Sequence, residues 1–434
     1  MNKKIGPVLG VMLVASTMMG SGIFLLPASL GAIGSISILS WIVATLGAAC
    51  LAIVFAALAM ADPSRPGLFS YVRDAFGPGS AFVVAALYWA SCAIANVAVA
   101  LAMSGYLSVF IPYVAKPPGA VIATVGFIWL FLGINAIGPR FVAQMQSWVL
   151  PLGLVPVFLV AIFGWFYFHP ATFMASWNVS GTSGFTAVPR ATVMVFWAFV
   201  GLEAAIVLAT RMRNPVRDVP IATIGGLGIA AVIYIAACSA IMGILPASVL
   251  AKSSAPFADA VAPMLGKVVA GIVALCALLK ASGTLGSTTL LTLDTAECES
   301  VLGQMRHGFV QGEKSTMANI VFTGVLTSLV TVASASPTLA RQFTIVTDVC
   351  VVLTVLVYGA AALALLLLSG ALPRKAQLWA RPLAVAGTLF CAWIVVVSEL
   401  DLLICSAAAT LAALVAYLSI RFRNMQLART PSGI

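Results

Sequence analysis

Met18-Met19-Gly20-Ser21-Gly22-Ile23-Phe24-Leu25-Leu26-Pro27 sets Gly-Ser-Gly in the middle of the first apolar run of the chain. Hydrocarbon offers no partner to a free backbone N–H or C=O. A helix broken at bilayer depth is therefore tolerated only inside protein or beside a watery cavity. Secondary transporters use such breaks to hold substrate on exposed backbone and half-helix ends. The stretch predicts an interrupted transmembrane helix and points to transport.

Composition supports the membrane setting from which that reading starts. Of the 434 residues 62% are hydrophobic and 8% charged, and the mean hydropathy is +1.12. A soluble fold cannot hide that much apolar surface, whereas a polytopic helical protein turns it to lipid. The first run begins just after Met1-Asn2-Lys3-Lys4, with no convincing small-residue cleavage site behind it. It reads as a span and not as a signal peptide. The net charge of +10 raises the question of nucleic acid, but the basic residues fall in short loops. Retention of positive charge on the cytoplasmic side accounts for them, and no nucleic-acid partner is expected. Cys50, Cys92, Cys238, Cys276, Cys298, Cys350, Cys391 and Cys405 show no CxxC spacing and lie almost wholly in apolar runs. They read as small packing residues. His169 and His307 form no cluster, so neither a metal nor a cofactor is expected.

Apolar runs separated by Pro, Gly or charge give about twelve spans of the ~20 residues that a bilayer needs. They fall near 6–30, 35–61, 79–112, 118–136, 145–168, 188–211, 219–245, 265–297, 317–335, 339–369, 379–398 and 400–420. With both termini inside, cytoplasmic segments hold sixteen Lys and Arg (Lys3, Lys4, Arg65, Arg73, Arg140, Arg211, Arg213, Arg217, Arg306, Lys314, Arg374, Lys375, Arg381, Arg421, Arg423 and Arg429). The outer segments hold five (Lys116, Arg190, Lys252, Lys267 and Arg341). That bias predicts a multi-pass protein of the inner membrane with both ends cytoplasmic.

The sixth span repeats the anomaly of the first. Phe196-Trp197-Ala198-Phe199-Val200-Gly201-Leu202-Glu203 puts a glycine and a carboxylate into an apolar segment. Two interrupted segments in corresponding halves are the strongest sequence pointer to a transporter site. For the sixth span alone, a packing glycine beside a structural acid is an equally good account. If the first helix stops near Met18 and resumes near Gly22, the second half presents free N–H groups and a positive dipole end to a carboxylate. Carbonyls near Thr17 and Phe199 would then accept from an ammonium. The site suits an α-amino acid or another amine-bearing zwitterion.

Several stretches resemble the basic amino acid/polyamine antiporters of the amino acid–polyamine–organocation superfamily. They are the first-span break, Ile36-Ser37-Ile38-Leu39-Ser40-Trp41, Ile94-Ala95-Asn96-Val97-Ala98, Trp197 to Glu203, and the run from Asn214-Pro215 to Gly225-Gly226. The resemblance implies an all-α membrane fold with a 5+5 inverted repeat, broken first and sixth helices and two further C-terminal helices. Residues 1–168 and 188–369 would be the two repeats of one transporter domain spanning 1–434, 379–420 the last two helices and 421–434 a cytoplasmic tail. It implies sodium-independent exchange and commonly a homodimer. By the same likeness Ser21, Gly22 and Ile23 hold the substrate carboxylate and Trp197 closes over the substrate. Gly201 marks the second break, Glu203 is the family's characteristic acid, and Tyr88, Asn96, Phe343 and Tyr358 fall at gate or pocket positions. For each aromatic, core packing is the alternative account.

The chain also departs from that pattern. Thr288, in Gly283-Thr284-Leu285-Gly286-Ser287-Thr288, stands where the family carries a pocket Trp. In the arginine exchanger that ring stacks on the guanidinium, a contact of ~0.5–2 kcal/mol. Thr17 replaces a usual Asn and Cys350 a usual Ser. The loop from Ala296 to Arg306 lacks the family's signature, and Ser64-Arg65-Pro66-Gly67 keeps one glycine of a usual pair. Lys280 lies mid-span and Asp348 lies in the tenth span. A charge within the membrane costs at least ~2.5–3.5 kcal/mol on insertion scales and is a functional candidate by default. The two acting as coupling or substrate-binding groups, or as a structural pair between the eighth and tenth spans, are equal expectations. Two transport readings stand: a basic amino acid/polyamine exchanger, and a permease or exporter of neutral amino acids, proton-coupled or not. An enzyme is not expected, since no nucleophile–base set, metal cluster or phosphate loop is present.

Overall fold

The computed structural model describes residues 4–62, 67–138, 152–203, 206, 212–297, 313–372 and 374–429. Among them the chain is helical apart from turns, loops and one isolated bridge between Ile5 and Met212. Among the described residues eight helices are long and apolar enough to cross a membrane: Ser37–Ala61, Pro78–Leu107, Gly119–Ile137, Pro215–Ile244, Pro256–Thr295, Leu339–Leu368, Ala376–Val397 and Leu400–Phe422. Four shorter apolar helices, Pro7–Met18, Leu152–Tyr167, Gly184–Phe199 and Met317–Ala333, occupy the first, fifth, sixth and ninth places, which completes the expected dozen. Lys3, Arg65, Arg140, Arg211 and Arg306 of the charge bias lie outside the described residues. So do Ser64, Pro66, Cys298, His307, residues 298–306 of the altered loop, the start of the fifth span and residues 430–434 of the tail.

One boundary differs from the sequence reading for a visible reason. The eighth helix begins at Pro256, because Gly266, at φ 87°, turns the chain between a short leading helix and the span proper. The sixth span is interrupted, as the sequence reading expects. Its α-helix ends at Phe196 and a 3₁₀ turn covers Trp197–Phe199.

Burial separates core spans from lipid-facing ones. In the second, seventh and tenth spans 61% of the most apolar window is buried, against 11% in the twelfth. The inner spans thus enclose the site and the last span lies at the periphery. Lipid removes most of the hydrophobic gain between helices, so close backbone approach must supply packing. A Cβ on Gly226 would stand 2.7 Å from Val14 Cβ and 2.9 Å from Ala15 N, so the first half-helix lies directly on the seventh span. The third span packs between the tenth and the eighth. The segments flanking the breaks are also tied: Arg213 N–H donates to Ile5 O at 3.0 Å.

Candidate functional site

The first helix ends at Met18, a 3₁₀ turn follows over Ser21–Ile23, and the α-helix resumes at Leu26. The resumption is later than Gly22, where the sequence suggests it. The N–H groups opening the 3₁₀ turn have no partner inside it, so the turn itself supplies the cradle. Two carbonyls freed by the break are taken up by tyrosines that the sequence reading did not single out. Tyr234 Oη of the seventh span donates to Met18 O at 2.7 Å, which also accepts from Gly20 N–H at 2.6 Å. Tyr106 Oη of the third span donates to Phe24 O at 2.9 Å. An apolar span that carries one tyrosine near a break in a neighbour is the signal that would have found them. Thr17 is exposed, and its hydroxyl bonds back to Leu13 O at 2.9 Å.

The sixth-span break meets the first. Gly201 has φ 108°, a conformation that side chains rarely adopt, which is why glycine stands there. Its N–H donates to Tyr358 Oη at 3.2 Å, and Thr17 Cγ2 lies 3.8 Å from where a Gly201 Cβ would sit. Trp197 folds over the other break. A Cβ on Gly22 would stand 2.5 Å from Trp197 Nε1, so only glycine leaves room for the indole. The ring packs edge-on against Phe343 at a centroid distance of 6.4 Å. Trp197 is 7% exposed, and its indole nitrogen is sealed from solvent without a hydrogen-bond partner. A buried donor left unpaired costs about 1–3 kcal/mol, and this one lies directly above the turn that would hold a carboxylate.

Glu203 is gripped from two sides. Tyr88 Oη donates to Oε1 at 2.8 Å, and Tyr358 Oη donates to Oε2. Phe69 packs edge-on to Tyr88 at 5.4 Å and Phe55 to Tyr358 at 4.9 Å, which holds both phenols in place. One carboxylate therefore joins the unwound part of the sixth span to the third and tenth. Tyr88 is engaged by Glu203, which limits the part it takes in an open aromatic cage.

Other expected residues serve helix packing. Asn96 Nδ2 donates to Thr292 Oγ1 at 3.0 Å, joining the third span to the eighth. Cys350 Sγ lies 3.1 Å from Ser91 Oγ, joining the tenth to the third. Thr288 Oγ1 bonds back to Thr284 O at 3.0 Å. Thr284, one turn earlier, is the eighth-span residue against the break: its Cγ2 lies 3.4 Å from where a Gly20 Cβ would sit.

Lys280 and Asp348 are not a pair. Lys280, 4% exposed, lies against the fifth span, where a Cβ on Gly153 would stand 2.2 Å from its own Cβ. Asp348 lines a separate cavity with Arg190 and Glu399. Their faces differ because the two residues look out from different helices toward different neighbours. Among the described residues no group of three or more His, Cys, Asp or Glu is placed to hold a metal ion.

A family model described as amino acid permease matches residues 10–401. The cadaverine/lysine antiporter of Escherichia coli strain K12 is 34% identical over 363 residues, 82% of each chain. The putrescine transporter PotE of Haemophilus influenzae is 33% identical over 370 residues, 84% of this chain and 85% of the relative. Its counterpart in Escherichia coli strain K12 is 33% identical over 372 residues, 85% of this chain and 84% of that one.

Proposed function

The chain belongs to the amino acid permease family, and on that premise we propose that it exchanges an amino acid for a related amine across the inner membrane by alternating access. The observation that carries the reading is Trp197 over Gly22. An α-carboxylate seated on the N–H groups of the Ser21–Ile23 turn meets the positive end of the second half-helix. It also gives the buried indole N–H of Trp197 the acceptor it lacks. The α-ammonium is received by carbonyl groups at the end of the first half-helix, beside Met18 O, which Tyr234 orients.

Opening on the face that holds the N terminus requires the third, sixth and tenth spans to part. The Tyr88–Glu203–Tyr358 bonds join these spans, so they form the latch on that side. The bias of sixteen loop Lys and Arg to five makes that face cytoplasmic. The two interrupted spans fit an inverted repeat of residues 1–168 and 188–369, with the last two spans outside it, and a homodimer follows the same family pattern. A basic amino acid against its diamine is the preferred pair, since the relatives carry lysine, cadaverine and putrescine in their names. One observation favours a neutral substrate instead: Thr284 is the eighth-span residue against the break, and residues 267–297 of that span carry no aromatic ring for a cationic head.

Proteoliposomes loaded with unlabelled substrate separate the readings. Lysine, ornithine or arginine should enter in exchange for cadaverine, putrescine or agmatine. Leucine or methionine uptake with no cationic exchange would replace the preferred pair by the neutral one. No amine or amino acid movement by well-folded protein would end both.

A further inference from the structure

A cavity of about 610 Å³ opens away from the two breaks. That volume falls within the ~300–1,000 Å³ typical of small-molecule sites. Its walls come from four places: Ser29 and Ala32 of the second half-helix, Arg190 and Met194 of the sixth span, Thr344 and Asp348 of the tenth, and Glu399 with Asp401 between the last two spans. Gly22, Trp197, Phe343 and Glu203 do not line it.

The charges around this space are unequal. Arg190 and Glu399 cancel in an ion pair at 2.7 Å. That leaves Asp348 and Asp401 against Arg341, two acids to one base. Arg341 stands seven residues before Asp348 on one helix, roughly 10 Å along its axis. Asp348 lines the cavity, and its Oδ1, just behind that lining surface, has no hydrogen-bond partner. Thr344, one turn before Asp348 on the same helix, donates its hydroxyl to Ser29 Oγ at 2.7 Å. A desolvated carboxylate oxygen without a donor is costly, and a charge-assisted N–H bond is the strongest remedy. A divalent ion would ask for six or more oxygen ligands, which the two carboxylates outside the Arg190–Glu399 pair do not supply. Apolar wall atoms of Ala28, Ala32, Met194 and Ile345 suit methylene groups instead.

We propose that this cavity is a second, peripheral site for an organic ammonium compound, with Asp348 as its anchor. The occupant touches both half-helices that flank the breaks, so it reports on their position from outside the carboxylate cradle. The inference does not require the cradle to bind what is proposed above, because it rests on different residues.

Equilibrium dialysis of labelled cadaverine against the purified full-length protein tests it. The parent should bind one molecule per chain at this site, beside any that the cradle holds. Asp348→Asn should lose that one while Trp197→Leu keeps it. Arg190→Gln, a change at a half-exposed residue, frees Glu399 beside the cavity and should tighten the same component by roughly threefold or more at low salt. The Arg190 variant keeps the test decisive should Asp348→Asn fold poorly. Unchanged stoichiometry in folded Asp348→Asn, loss of all binding in Trp197→Leu, or an unaltered affinity in Arg190→Gln would each overturn the site. Displacement of that component by micromolar calcium would overturn its assignment to an ammonium.

Discussion

Adding a single methyl group at Gly22 tests the contact on which the central site turns. In Gly22→Ala the new Cβ would meet Trp197 Nε1 at 2.5 Å, Cδ1 at 3.1 Å and Cε2 at 3.3 Å. Carbon contacts sit at about 3.5–4.0 Å, so the indole must withdraw by roughly 1 Å. It has little room, since Phe343 abuts the ring and only 7% of the residue is exposed. Overfilling a packed core costs about 1–3 kcal/mol. At 1.4 kcal/mol per tenfold, that strain lowers the population with Trp197 over the turn by ~5–150-fold. Exchange in proteoliposomes should fall within that range, while Gly228→Ala, whose Cβ would meet nothing within 4 Å, keeps parental activity. Combining Gly22→Ala with Trp197→Phe should recover part of the loss, because the smaller ring leaves the methyl space. Parental exchange in Gly22→Ala would refute a closed state with Trp197 over the turn. If Gly22→Ala lowers exchange as much in a Trp197→Phe background as in the parent, the steric cause is refuted.

Three further outcomes follow from contacts described above. Glu203→Ala leaves two buried phenols without an acceptor, about 1–3 kcal/mol each, so the melting temperature of purified protein should fall further than in Tyr88→Phe or Tyr358→Phe alone. Tyr234→Phe removes a donor from Met18 O; the half-saturating substrate concentration should rise, and a changed maximal rate with unaltered saturation would count against a role in orienting that carbonyl. Lys280→Met removes a buried charge that has no ion-pair partner among the described residues. Its melting temperature should hold or rise, and a marked fall would reveal a hidden partner for the amine.

Much of the architecture was legible because membranes impose a severe rule on the backbone. Gly20-Ser21-Gly22 and Gly201 could be read as breaks since hydrocarbon forbids unpaired peptide groups unless protein or water meets them. Trp197 and Glu203 were legible through the resemblance to a known family carried by the run that they share with Gly201. Less visible were Tyr234, Tyr106 and Thr284. Each lies on an unbroken helix in an ordinary apolar run, and nothing in its local pattern says which neighbour it faces. The pairing of Lys280 with Asp348 failed on the same ground. Both charges stood out, but helix rotation sends one toward Gly153 and the other into the peripheral cavity.

The amino-acid sequence alone determined that this chain is a polytopic helical membrane protein with two interrupted spans, because hydropathy and helix breaks are properties of consecutive residues. Which side chains close over those interruptions was decided by tertiary structure. Trp197 reaches Gly22 across 175 positions of chain, and Tyr358 reaches Glu203 across 155. Contacts at such separations depend on how helices cross and rotate, and that is settled only when small residues such as Gly226 let one backbone lie against another.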